Sequence, residues 1–154
     1  MGTVKFVNSV IFKSIFFTLL ITIFLTASLY AVDYYVDSGF GSDKNTGLSA
    51  GSAWQSLDKV NAVVFKPGDR ILFRSGGTWS GQLWPKGSGS AGRPVVIDKY
   101  GEGGLPVFNG EGGIYGGENM SVTVKLFNQQ YWELWNFYEC HPRRRCKQTG
   151  ADVF

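Results

Sequence analysis

Tryptophan is the residue type in this chain best suited to holding a ligand. An indole offers a flat apolar face with a polar edge, which suits the face of a pyranose, and the chain carries five: Trp54, Trp79, Trp84, Trp132 and Trp135. Core packing is the default expectation for each, and for Trp54 above all. Trp79 and Trp84, which flank Gly81, are the best candidates for an exposed pair that binds substrate. Ionisable chemistry is harder to locate. Arg74, Lys99 and Lys125 all follow apolar runs, so they could line one face, but solvation at strand ends accounts for them. Asp98 and Glu133 are too scattered in the sequence to read as the carboxylate pair of a glycosidase. No catalytic residue is assigned.

Metal chemistry finds no set of ligands either. Cys140-His141 and Cys146 make a Cys-His-x4-Cys spacing that lacks the fourth ligand of a structural zinc site. In an exported chain Cys140 and Cys146 fit a disulfide, and two unpaired thiols fit equally well. The Arg143-Arg144-Arg145 run reads as a solvated tail that can touch anionic polymer. Gly39-x-Gly41-x-Asp43 is a single imperfect copy of a glycine–aspartate calcium loop, mismatched at Ser38 and Asn45, where that site needs tandem copies. A loop whose backbone turns are capped by side chains explains it better. Asn119-Met120-Ser121 is a glycosylation sequon that matters only in a glycosylating host.

The elements that would position these residues begin after an N-terminal leader. Lys5 and Lys13 precede Ser14 to Ala31, an uncharged stretch that runs through Ile15-Phe16-Phe17-Thr18-Leu19-Leu20-Ile21. This is the n-region and h-region of a signal peptide, with small residues for cleavage at Ser28 or Ala31; an uncleaved membrane anchor is the other reading. The formal net charge of +3 misleads, because residues 32 to 139 carry 9 bases against 11 acids. No basic face for nucleic acid is evident there. With 154 residues, 16% of them aromatic and 18% charged, one ordered domain fits and wholesale disorder does not.

Val32-Asp33-Tyr34-Tyr35-Val36 reads as a first strand. Residues 52 to 64 place Trp54, Leu57, Val60 and Val64 on one side of a short amphipathic helix with Ser52 as N-cap, ended by Pro67-Gly68. Strands and glycine-rich breaks then alternate: Ile71 to Arg74, Trp79 to Trp84, Val95 to Ile97, Val107-Phe108 and Ser121 to Leu126. Ile71, Leu83, Val95 and Val107 stand 12 residues apart, and after a slip of three the spacing resumes at Val122 and Leu134. Two steps make a turn of about 24 residues, within the range of stacked repeats. No helical pattern intervenes, which excludes a doubly wound α/β sheet.

Tyr34-Tyr35-Val36-Asp37, Gly41-Ser42-Asp43-x-Asn45-x-Gly47, Ala53-Trp54-x-Ser56-Leu57-x-Lys59-Val60-Asn61, Pro67-Gly68-Asp69-x-Ile71-x-Phe73-Arg74, Gly76-x-Thr78-Trp79-x-Gly81-Gln82-Leu83 and Pro94-Val95-Val96-Ile97-x-x-Tyr100-Gly101 form an ordered set. Together they resemble the start of secreted right-handed parallel β-helix proteins of the pectate-lyase-like superfamily. The resemblance implies an all-β fold, a right-handed parallel β-helix (solenoid) with a short N-terminal capping helix. It also implies a superfamily rich in polysaccharide lyases and glycoside hydrolases. In the lyases, calcium or basic residues neutralise the sugar carboxylate while a Lys or Arg removes the adjacent proton; calcium belongs to such full-length relatives, and no cofactor is assigned to this chain.

The expected organisation is a signal peptide or anchor over 1–31, a cap of strand, loop and helix over 32–66, and the first β-helix coils over 67–138. An irregular tail over 139–154 completes it, leaving the solenoid incomplete at its C-terminus. The function expected is the N-terminal part of an exported polysaccharide-degrading protein, inactive alone, with a non-catalytic carbohydrate-binding or adhesion module as the alternative. The expected partner is polysaccharide, with membrane contact only if the leader stays uncleaved, and the location is secreted, periplasmic or cell-surface.

Overall fold

The computed structural model describes residues 30–110, 123–141, 144–150 and 152–153. The leader over 1–29, the sequon at Asn119 and the start of the strand expected at Ser121 lie outside the described residues. From Ala31 onward the chain is one unit, mostly β with very little helix.

β1 (Asp33–Val36) is the β-branched and aromatic run. After a loop and a one-turn 3-10 helix (Ala50–Ser52) comes α1 (Leu57–Asn61), only five residues long. Its cap is Ser56, whose Oγ accepts from the Lys59 N–H at 3.1 Å. The longer helix expected from Ser52 does not form, because Trp54 is already committed to the sheet. Its N–H donates to the Tyr35 carbonyl at 2.9 Å and its carbonyl accepts from Asp37 at 2.8 Å. Val64 likewise leaves the helix to begin β2 (Val64–Phe65).

The remaining strands are β3 (Arg70–Arg74), β4 (Thr78–Ser80), β5 (Lys86–Gly87), β6 (Val95–Tyr100), β7 (Val107–Asn109), β8 (Trp132–Leu134), β9 (Phe137–His141), β10 (Arg144–Thr149) and β11 (Asp152–Val153). They form three sheets. The largest has the order β1-β3-β6-β8-β11, the second β10-β9-β7-β4, and the smallest β2-β5. From β2 to β7 the chain visits the small, large and second sheets in turn, then repeats that circuit one place further along each. Every pairing between successive circuits is parallel. In the large sheet Tyr34 aligns with Ile71, Ile71 with Ile97, and Ile97 with Leu134.

This register differs from the 12-residue spacing. Ile71 pairs with Ile97 rather than Val95, and Leu83 forms a bridge with Val124 while Val122 lies outside the described residues. Loops of unequal length between the strands absorb the difference, so a fixed residue count does not define the circuit. The turn at Gly76, with φ of 74°, is one that glycine makes without strain.

The inward side chains meet in a single apolar core. Phe73 of the large sheet lies 5.0 Å from Trp79 and 4.7 Å from Phe108 of the second sheet, and Phe108 lies 4.9 Å from Phe137. These edge-to-face contacts add to burial of apolar area, and all four rings are almost wholly excluded from solvent. Two buried carboxylates organise the turns. Asp69 accepts from the Val32 and Lys66 N–H groups, fixing the Pro67-Gly68 turn beneath β1. Asp37 accepts from the Gly39 and Phe40 N–H groups and from Arg74 Nη1 at 2.7 Å.

The tail is not irregular. Antiparallel β10 pairs with β9, antiparallel β11 pairs with β8, and Cys140 and Cys146 are joined by a disulfide. The edges left by the last parallel strands are the reason: β8 and β9 present unpaired backbone groups, and these two short strands satisfy them.

Burial alone would raise the Asp37 carboxyl, but the hydrogen bonds from Arg74 and from the Phe40 and Gly39 N–H groups outweigh it and hold it below the ordinary carboxylate range. A carboxyl depressed by folding contributes stability in full above its unfolded value, about 4, and loses it as pH falls through the lower folded value. Asp37→Asn should therefore lower the urea midpoint at pH 7, with the gap to the parent narrowing in acid below about pH 4. Urea titrations across that range check this, and a gap independent of pH would refute the role given to the charge.

Candidate functional site

Trp79 and Trp84 part company in the structure. Strand alternation in β4 turns Thr78 and Ser80 outward and Trp79 inward, where it is 4% exposed. Its Nε1–H donates to the Gln55 carbonyl at 2.9 Å, so both the apolar and the polar needs of the indole are met inside. The exposure expected for Trp79 is therefore corrected. Gly81, with φ of 113°, then breaks the strand, and Trp84 emerges 38% exposed.

Trp84 borders a groove of about 300 Å³ whose walls are Leu57, Asp58 and Asn61 of α1 on one side and Ser80, Gly81, Gln82 and Trp84 on the other. Asn61 ties the two walls together. Its Oδ1 accepts from the Trp84 N–H at 2.6 Å, and its Nδ2 donates to the Gln82 carbonyl at 2.9 Å. Lys125 adds a second fixture, its Nζ standing 4.7 Å from the Trp84 ring centroid and 5.7 Å from that of Phe127. The parallel bridge between Leu83 and Val124 sets this up, since the next residue on each strand falls side by side. Phe127 is itself exposed. Sequence reading named Lys125 only as a cation after an apolar run, solvated at a strand end, and gave Asn61 no role in a site; it joined neither to Trp84. A signal for Lys125 lay in the matching of Leu83 with Val124, each followed by a large side chain.

The other candidate residues are dispersed. Trp54 stacks on Tyr34 at 4.9 Å and Trp132 is fully buried, donating to the Gly87 carbonyl. Trp135 donates to Glu133 Oε2 at 3.3 Å. Arg74 pairs with Asp37 and lies over the Phe40 ring. Asp98 and Glu133 come closer than their sequence separation foretells. Val96 aligns with Glu133, so Asp98, two residues on, shares the outward face of neighbouring strands with it. Each is held by a neighbour, Asp98 accepting from Asn136 Nδ2 at 3.0 Å and Glu133 from Trp135.

Asp43, the acid of the would-be calcium loop, is spent on the fold: its carboxylate accepts from the Gln55 and Ser56 N–H groups and the Ser56 hydroxyl, anchoring the start of α1. Among the described residues no group of three or more His, Cys, Asp or Glu is placed to hold a metal ion.

Trp84 thus borders a groove edged with amide, hydroxyl and carboxylate groups, and comparison with known proteins finds similarity to carbohydrate-active enzymes. Over 85 residues the chain is 36% identical to a lacto-N-biosidase of Bifidobacterium longum subsp. longum, a match covering 51% of this chain and 5% of that protein. The chain is homologous to part of a glycoside hydrolase. Two crystal structures of the GH136 lacto-N-biosidase from Eubacterium ramulus agree. The selenomethionine form superposes with a TM-score of 0.63 at 25% identity over 77% of this chain and 23% of that one. The native form gives 0.59 at 26% identity over 71% and 20%. The chain thus spans a small part of the length of these relatives. No protein-family model matches it.

The contrast between the two tryptophans is measurable. Trp79→Ala should cost about 3–5 kcal/mol as a buried aromatic truncation, while Trp84→Ala should cost less than about 1 kcal/mol, the scale of its exposed cation–π interaction. Urea denaturation of the two variants decides it.

Proposed function

We propose that residues 32 onward form the opening coils of a right-handed parallel β-helix of the pectate-lyase-like kind, from an exported carbohydrate-active protein of glycoside-hydrolase class. In this reading these coils engage glycan without cleaving it. The observation that carries it is the 36% identity to a lacto-N-biosidase falling on a chain whose circuits stack through parallel sheets. Successive visits to three sheets in fixed order are what a β-helix requires. Asp98 and Glu133 share an outward face, each accepting a side-chain hydrogen bond that fixes its orientation, and this reading gives them no acid–base role. The matched region is one-twentieth of the curated relative, leaving most of that enzyme's length for its reaction.

Export is proposed from the basic and apolar leader and agrees with the disulfide, which forms in oxidising compartments. The destination is the exterior, periplasm or cell surface. A self-standing carbohydrate-binding or adhesion module is the second reading, favoured by the solvent-facing Trp84.

Incubating the full chain with glycans bearing lacto-N-biosyl groups and with neutral and acidic polysaccharides tests the proposal. Expected are retardation in glycan-containing gels and no new reducing or unsaturated ends. Sugar release would overturn the non-catalytic part, and the absence of both retardation and release would overturn the glycan reading itself.

A further inference from the structure

The groove between α1 and the Ser80–Trp84 segment has a definite chemical bias. At about 300 Å³ it lies at the small end of ligand clefts, with room for sugar rings. Among its described lining residues Asp58 is ionisable and none is basic. Asp58 is exposed on the first turn of α1, and Ser80 is exposed on the opposite wall. The buried Leu57 adds apolar surface to the lining, and Gly81 brings no side chain to it. Lys125 stands over the indole and is not part of the lining.

A carboxylate can accept hydrogen bonds from two neighbouring hydroxyls at once, and such charge-assisted bonds are the strong ones. An indole beside it offers an apolar surface to the C–H face of the same ring. A uronate brought to this groove would instead set its own carboxylate against Asp58. We propose that the groove is a subsite for a neutral pyranose, with Trp84 as the stacking platform and Asp58 as the hydroxyl acceptor. The assignment rests on the glycan reading above and narrows it from polysaccharide in general to uncharged sugar.

The test uses the full chain and two probes of equal length, a neutral tetrasaccharide of galactose and N-acetylglucosamine and a tetragalacturonate, titrated calorimetrically. The neutral probe should bind more tightly than the acidic one. Trp84→Ala and Asp58→Asn should each weaken it about tenfold, the scale of a single hydrogen bond or stacking interaction, while Trp135→Phe leaves affinity unchanged. Asp58→Asn should also narrow the preference for the neutral probe over the acidic one. The urea midpoints of the variants establish that they remain folded. Tighter binding of the galacturonate, or parental affinity in both the Trp84 and Asp58 variants, would overturn the subsite while leaving a glycan-binding chain. Failure of the parent to bind either probe would overturn the subsite and count against the broader reading as well.

Discussion

The fold depends on the contact between the two larger sheets through Phe73, Trp79, Phe108 and Phe137. Parallel strands of three to six residues bury little on their own and need both faces covered or capped to persist. Here one aromatic column supplies the inner cover for two sheets at once, because Phe73 of β3 meets Trp79 of β4 and Phe108 of β7, and Phe108 in turn packs on Phe137 of β9. Once those rings point inward, strand alternation leaves no freedom for their neighbours. Thr78 and Ser80 must face out beside Trp79, and the outward face of the large sheet must carry Asp33, Arg70, Arg74, Asp98 and Glu133.

Much of this was legible in the sequence. β3, β6 and β7 follow from apolar runs between glycine breaks, and a first strand at Tyr34 from its composition. Elsewhere the local pattern was overridden by pairing. Residues 54 to 64 have helical periodicity, yet the bridge between Val36 and Trp54 claims one end of that stretch and β2 the other, leaving a single turn for α1. The two tail strands were hidden because their segment has no apolar alternation of its own; the edges of β8 and β9 induce them.

The candidate site shows the same division. Trp84 could be picked out by residue type, but Trp79 looked equally suitable, since only the parity of β4 and the break at Gly81 separate an inward indole from an outward one. Lys125 was legible as a cation after an apolar run, but its meeting with Trp84, and that of Asn61, was not. They reach Trp84 across the fold, one from a helix that the sequence placed too broadly and one from a later circuit. The groove is therefore a product of stacking, in which residues far apart in the chain meet because Leu83 and Val124 share a register. Similarity to part of a lacto-N-biosidase stands beside that arrangement without assigning that enzyme's reaction to it.

The reversed direction of β10 and β11 carries one more consequence. A parallel stack exposes on its last strand an evenly spaced row of donors and acceptors that any like strand can read, the geometry on which cross-β fibrils grow. Strands of opposite polarity over both rows replace that parallel ladder with an antiparallel one where they pair. A strand arriving in the parallel sense meets β10 and β11 before β8 and β9, so the polarity of a few residues decides which kind of partner the paired stretches of these two sheets can accept.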